Sequence, residues 1–576
     1  MLAALGTAAA AETPHEAGAS SAKLARVADA FWRRTQEENL DVARLVDRPP
    51  AHRPPVSAAR CEADARNARR GLADLAALDA KTLSAAERIS LEMLRWEFGD
   101  RIEGARYYWL QPVLTPYSTP LNSAQALFAG YALAKPADLD GYRRLLGELP
   151  SMIGALETFT RGQAARGIVL PRDELSAVVA LLDSYIAEAR KSPFFVADER
   201  VQRLDSQTAH SFQDEVTQVI DKRVNPAIRS LREYLAGAYR DKAPTAVGLF
   251  QYPQGKEYYR YLVRHHTTLD LSPEQVHERG LKAVAELEAQ MDRVRGEAGF
   301  GGSATEFRRF LREDRRFYAA TPAEVETRLA QPVAEARAAL DRFFPAIPKA
   351  PYGLRRLDPS LEGAQTFGYY DPPSASDPKD YYNYNAAHPE QRSLLEARSI
   401  ILHELLPGHH LQMSLQLENS ALPEFRRLGF PTAYLEGWGT YASRLGIEMG
   451  LYGDPYDRYG QLTAELFMAV RLVVDTGMNY YAWPRERAAA YMREHLILSD
   501  AQIASETLRY AVDMPGQALA YRIGEEALIA MRERAAKQAG TTFDVRRFHG
   551  CVLGQGAMPL SVLEHHLAAC LAADEQ

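Results

Sequence analysis

Hydrophobic positions recur at three- and four-residue spacing through most of the chain, the pattern of helices with one buried face. Leu72, Leu75 and Leu78 form such a series, as do Leu91, Leu94 and Phe98. Val178, Leu181, Leu182, Tyr185, Ile186 and Ala189 continue it. The spacing predicts helices from Ser21 to about Asp241, with breaks in Leu110–Pro120 and Pro244–Gly255. Asn225-Pro226 predicts a further interruption, because the residue before a proline is pushed out of the helical region. Ser272-Pro273-Glu274-Gln275 reads as a capping box that opens a helix running to Gly296 or Gly299. Thr321-Pro322-Ala323-Glu324 opens another that ends near Phe344.

From Pro345 to about Gln391 the pattern changes. Pro345, Pro348, Pro351, Pro359, Pro372, Pro373 and Pro378 forbid a long helix. Tyr369-Tyr370 and the run Tyr381–Asn385 suit short strands. The second run, with Tyr384 at its heart, is expected to be an edge strand that pairs with an extended peptide. Helical spacing returns from Arg392 to the end. The class is therefore mainly α with a small β element. Four regions follow: an N-terminal segment 1–20, a helical region 21–241, a middle region 242–391 that holds the β element, and a helical region 392–576. No 20–50-residue period recurs, which excludes a solenoid.

Composition narrows the function classes. The 576 residues are 46% hydrophobic and 25% charged, as in globular proteins. Lys and Arg number 68 against 75 Asp and Glu, a net charge of −7, with no basic block to bind nucleic acid. No apolar run approaches the ~18 residues of a membrane span. Leu2–Ala11, rich in alanine, reads as the tail of a secretory signal and implies a periplasmic or secreted protein. Three cysteines exclude a disulfide scaffold. Cys551 and Cys570 read as buried thiols, with pairing as the alternative.

The chemistry concentrates in Leu402-His403-Glu404-Leu405-Leu406-Pro407-Gly408-His409-His410-Leu411-Gln412. Zinc peptidases commonly carry two histidines one helical turn apart, with a glutamate beside the first as base. Here Pro407 occupies the place of the second histidine. On an unbroken helix His409 would lie about 600° round and roughly 9 Å along from His403. His410 would return to phase but at about 10.5 Å, and neither could share a metal with His403. Pro407 cannot donate to the carbonyl of His403, and Gly408 tolerates unusual dihedrals. The expectation is a bulge at Pro407-Gly408 that brings His409, or alternatively His410, beside His403. Three histidines and a glutamate in eight residues, from a chain with 14 histidines, point to a metal.

A third ligand is expected from Tyr434-Leu435-Glu436-Gly437-Trp438-Gly439. Glu436 sits among apolar residues, where coordination would offset the cost of burial. Glu448 is about 120° out of phase with it and reads as structural. Arg471 and Asp475, four apart, suit an ion pair on one helix face.

These strings, with Arg471–Met478, Arg509-Tyr510, Pro515–Leu519, Tyr521, Gly524, Phe548-His549, Gly556 and Pro559-Leu560, resemble the bacterial domain-of-unknown-function 885 family from about Phe31 to the C-terminus. That family resembles helical zinc peptidases of the gluzincin type, such as angiotensin-converting enzyme and neurolysin. The resemblance implies a two-lobed helical metallopeptidase with a deep central channel. One departure is Asn479, where the family often has histidine; specificity would differ if that histidine met substrate.

The expected activity is hydrolysis of short peptides by one zinc ion held by His403, His409 or His410, and Glu436. Glu404 would be the general base and Tyr521 the donor to the oxyanion. Arg509 would take a substrate carboxylate or pair with Glu506; Tyr510 and His266 would contact substrate. Asp475 would bond to a zinc histidine from behind. A zinc amidohydrolase of a non-peptide amide and a non-catalytic metal or peptide binder are the competing readings.

Overall fold

The computed structural model describes residues 14–38, 50, 52, 56–357, 362, 368–373, 377–429 and 431–572. The Leu2–Ala11 segment lies outside them. Helices dominate, and the described strands form one three-stranded sheet. The helices that bear on the site are α1 (Pro14–Glu38), α2 (Ala58–Ala76), α3 (Ala85–Gly104), α4 (Gly255–Thr267), α5 (Pro273–Glu297), α6 (Ala397–Glu404), α7 (His409–Glu418), α8 (Thr432–Leu445), α9 (Pro455–Asn479) and α10 (Leu519–Ala539). The capping box at Ser272 is present, with Ser272 Oγ accepting from the Gln275 amide and the Gln275 side chain accepting from the Ser272 amide. Thr321 caps the helix Pro322–Ala339 in the same sense.

Asn225-Pro226 does not interrupt its helix. Asn225 has helical dihedrals, φ −56° and ψ −44°. A π-helical turn over Ile220–Val224 precedes it and widens the backbone where the proline ring would otherwise meet a carbonyl. Asn225 Nδ2 donates instead to the Ala187 carbonyl, 2.8 Å away.

One apolar core joins α1–α3, the sheet, and α6, α7, α8 and α10, from Leu24 to Leu567. A second gathers residues between Leu114 and Ala243. α9 is central: from Tyr459 to Tyr480 every residue is buried except Ala464 and Met468, which face a cavity. The helix is covered on every side, and its buried polar residues Arg471, Asp475 and Asn479 are hydrogen-bonded within the protein. Gly280 of α5 permits this packing, since a Cβ there would lie 2.8 Å from Leu472 and 2.9 Å from Val473.

The sheet has the order β1–β3–β2, with β1 (Tyr352–Arg356) parallel and β2 (Tyr369–Asp371) antiparallel to β3 (Asp380–Tyr384). The Tyr381–Asn385 run is thus the central strand and not an edge. Its main chain is already paired on both sides, so it cannot add a peptide. Tyr384 is buried, its hydroxyl donating to Glu326 at 2.7 Å.

Cys551 and Cys570 form a disulfide, with Cα atoms 6.0 Å apart, rather than remaining thiols. The two residues stand on consecutive helices that pack together, Val545–Leu553 and Leu560–Ala572, whose proximity the sequence did not reveal.

Phe548 and His549 pack the C-terminal helices, as their apolar setting suggests. His549 Nδ1 donates to the Phe343 carbonyl at 2.9 Å, and its Nε2 accepts from the Tyr441 hydroxyl at 2.7 Å. Burial pushes this imidazole down to about 4. The unfolded chain, near ~6.5, binds the proton more readily, so this contribution to stability is full above ~6.5 and falls as pH drops towards 4. Chemical denaturation should show a loss of about 3 kcal/mol over that window beyond the loss seen in His549→Gln.

Candidate metal centre and its cavity

The segment predicted to bulge does break the helix. α6 ends at Glu404, Leu405–Gly408 turn the chain, and α7 begins at His409. Gly408 is obligatory there, because a Cβ would overlap the carbonyl oxygen of His403. The turn is pinned from α8 by Trp438, whose Nε1 donates to the Pro407 carbonyl at 3.0 Å.

This break places His403 and His409 ring to ring, with centroids 4.6 Å apart. Nε2 of each lies 3.5 Å from the same Glu436 oxygen, and the three donor groups lie within 4.8 Å of one another. Burial works against charge on Glu436, yet hydrogen bonds from His403 and His409 hold its carboxyl well below the usual carboxylate range. The same contact raises His409 above its ordinary value despite burial. Donors ~2.0–2.1 Å from a tetrahedral ion stand about 3.3 Å apart. The donor set and its spacing fit one divalent cation.

The Glu436-Gly437-Trp438-Gly439 string serves this geometry residue by residue. A Cβ at Gly439 would meet the His403 ring at 2.7 Å, so only glycine lets that imidazole lie against α8. A Cβ at Gly437 would sit 2.5 Å from the Gly524 Cα, so α8 and α10 cross at a glycine pair. That crossing carries Tyr521 to within 6.0 Å, ring to ring, of His403. Burial, with the charge of Glu436 close by, pushes the Tyr521 hydroxyl up to about 12 and keeps it a donor.

His410 lies outside this cluster. It is fully buried and points away from Glu436, its Nδ1 2.6 Å from Asp380 Oδ2 on β3. Ser414 Oγ donates to the same oxygen at 2.9 Å, and the Tyr370 hydroxyl also binds it. Adjacent helical residues project about 100° apart, so His409 and His410 cannot both face Glu436.

A cavity of about 460 Å³ opens on these residues. His403, Glu404, His409, Glu436, Tyr521 and Arg509 all line it. Burial raises the Glu404 carboxyl above its ordinary value, partly opposed by the two histidines. Tyr117 and Tyr369, both exposed large rings, stand on its wall. The sequence reading passed over Tyr117 and the cavity-lining Glu396, since neither sits in a recognisable motif.

Four expected contacts fall elsewhere. Tyr510 is fully buried behind the wall, accepting from Arg471 Nε at 2.7 Å and donating to Glu506. His266 is half-buried and does not line the cavity, and lost solvation holds it well below its ordinary value. Asp475 touches neither zinc-type histidine nor Arg471; it accepts from the Tyr259 hydroxyl at 2.7 Å and the Gly516 amide at 3.1 Å. Arg471 pairs with Glu506 instead, at 3.2 Å. Asn479 is fully buried, bonded to Asp475, Leu249 and the Tyr510 carbonyl, so it meets no ligand in this cavity. Glu448 is structural as expected, paired with Arg532 at 2.7 Å.

The match to a family model covers residues 47–567, and that family is described as bacterial protein of unknown function (DUF885). The chain belongs to this family. No curated protein matches it. Two solved structures share its fold. The putative lipoprotein from Colwellia psychrerythraea is 23% identical, with a TM-score of 0.87 over 97% of this chain and 100% of that one. A putative lipoprotein of unknown function from Shewanella oneidensis is 15% identical, with a TM-score of 0.75 over 95% and 99%. Among the described residues no helix is long and apolar enough to cross a membrane.

The two neighbouring histidines should behave oppositely. His409→Ala should bind a divalent ion at least tenfold more weakly, read by calorimetric titration. His410→Ala should keep the ion but lose roughly 3–5 kcal/mol of stability, because Asp380 is left buried without its partner.

Proposed function

We propose that the protein is a zinc-dependent hydrolase that cleaves peptide bonds of short peptides. The reading rests on one observation: two imidazole nitrogens, each 3.5 Å from a single half-buried carboxylate oxygen, beside a glutamate that faces the same cavity. His403, His409 and Glu436 would hold one zinc ion. When bound, zinc supplies a Lewis acid that brings the pKa of a water towards ~7.

The chain's own groups complete the chemistry. Glu404, with its carboxyl raised by burial, is a stronger base than a solvated glutamate, and it takes the proton of the attacking water. It returns that proton to the departing amine. Tyr521, still protonated at neutral pH, donates to the carbonyl oxygen as negative charge develops there. The pairing of Glu436 with both histidines keeps it ionised and oriented as a ligand.

We place the protein outside the cytoplasm, in the periplasm or secreted. The Cys551–Cys570 disulfide is of a kind that persists in oxidising compartments, and two solved structures that share this fold are named putative lipoproteins.

Chelation should abolish cleavage of a mixed short-peptide library, and zinc should restore it. Glu404→Gln should retain one ion per chain while cleavage falls about 10²–10⁴-fold. Undiminished cleavage by that variant would remove the base assignment. Tyr521→Phe should lower kcat by about 10²-fold with little change in metal content.

A further inference from the structure

Five residues along α6 line the cavity: Glu396, at the residue before its first turn, then Ser399, Ile400, His403 and Glu404. Spacings of three and four put them on one face of the helix, so the cavity runs lengthwise along α6. α8 follows the same course. His403 meets Glu436 near the end of α6, and Ser399 Oγ lies 2.7 Å from Ser443 Oγ one turn back. Glu436, Thr440 and Ser443 line the cavity from that side. An arm of the cavity therefore leads away from His403 towards Glu396. Seven residues separate these two, two helical turns or about 10.5 Å of backbone.

The other charged groups near this arm have partners. Glu465, which lines the cavity from α9, is held by Arg444 at 2.9 Å, by Arg522 at 3.4 Å and by Gln461. Arg398, two residues from Glu396, is taken by Glu335 and Asp457. Among the described residues the Glu396 side chain has neither a hydrogen-bond nor an ion-pair partner. It is half-buried, and burial alone, with no neighbouring charge, pushes its carboxyl up to about 7. A half-buried carboxylate without a partner is costly, and a cation held against it offsets that cost. Hydrogen bonds between two ionised groups are also the strong ones.

Resting on the peptidase reading above, we propose that Glu396 binds a positively charged group of the substrate, its terminal ammonium or a lysine or arginine side chain, about 10 Å from the bond that is cut. A terminal ammonium reaches that far across two or three residues of extended chain, at ~3.3 Å each. A lysine side chain reaches it from a residue nearer the bond. A neutral group gains nothing at Glu396 and an acidic one is repelled, so the favoured substrates are short cationic peptides.

The test uses zinc-loaded full chain and two sets of hexapeptide pairs. In the first a neutral peptide carries a free or an acetylated N-terminus. In the second, acetylated throughout, one residue is lysine or norleucine, and each position is taken in turn. In at least one pair the cationic member should be cleaved with kcat/KM about 10- to 100-fold higher, chiefly through KM. The pair that responds identifies the source: the free terminus, with release of the first two or three residues, or the lysine side chain. Glu396→Gln should bring that ratio near one, and Glu396→Asp should recover part of it. Equal cleavage within every pair by the unsubstituted protein, or a ratio untouched by Glu396→Gln, overturns the proposal and leaves the peptidase reading standing. Calorimetric binding of the same pairs to Glu404→Gln protein needs no turnover. Tighter binding of the cationic member without cleavage by the unsubstituted protein supports the cation site and removes the peptidase reading; equal or absent binding removes the site.

Discussion

A carboxylate held half-buried between two imidazoles is an expensive arrangement, and much of the local sequence exists to make it tolerable. Glu436 stays ionised only because His403 and His409 both point their Nε2 atoms at it. For that, a helix must stop and restart within four residues, which Gly408 alone permits sterically. The first imidazole must press against α8, which requires Gly439, and α8 must touch α10, which requires Gly437 and Gly524. Rigid backbone-to-backbone contact of this kind holds ligands to a fraction of an ångström, where longer side chains would let them drift.

The small sheet gains its purpose from the same constraint. Asp380 at the head of β3 collects His410, Ser414 and Tyr370, so the strand is fastened to the first turn of α7. His409 is then fixed from behind through its neighbour. On the other side, Asp475 holds the Gly516 amide in the turn that leads into α10 and Tyr521. Arg471, Glu506 and Tyr510 form the wall beside that tyrosine. Residues that drew attention by their motifs therefore divide into those that face the cavity and those that hold the facing ones in place.

The helical class, the capped helices at Ser272 and Thr321, the tyrosine strands and the break at Pro407 were all legible, because each depends on neighbours within a few residues. So was the gathering of His403, Glu436 and one histidine from beyond the break: spacing demanded an interruption, and three donor groups do lie close together. Other readings failed for lack of distant partners. Tyr384 and Tyr510 looked like exposed phenols until the elements covering them were known. Asp475 seemed free to serve a histidine, yet Tyr259 and Gly516, more than 200 and 41 residues from it in the chain, had claimed it. The pairing of Cys551 with Cys570 depended on how two helices pack, and Asn225 on a π turn that no local pattern announces.

Sequence by itself settled where donor side chains concentrate and where the backbone must bend, since donor identity and steric limits on proline and glycine are properties of short segments. Tertiary structure alone decided between His409 and His410, made β3 a central strand, and put Arg509 rather than Tyr510 on the cavity wall. Those outcomes follow from which face of a helix or edge of a strand meets another element, and that is set by packing between segments tens of residues apart.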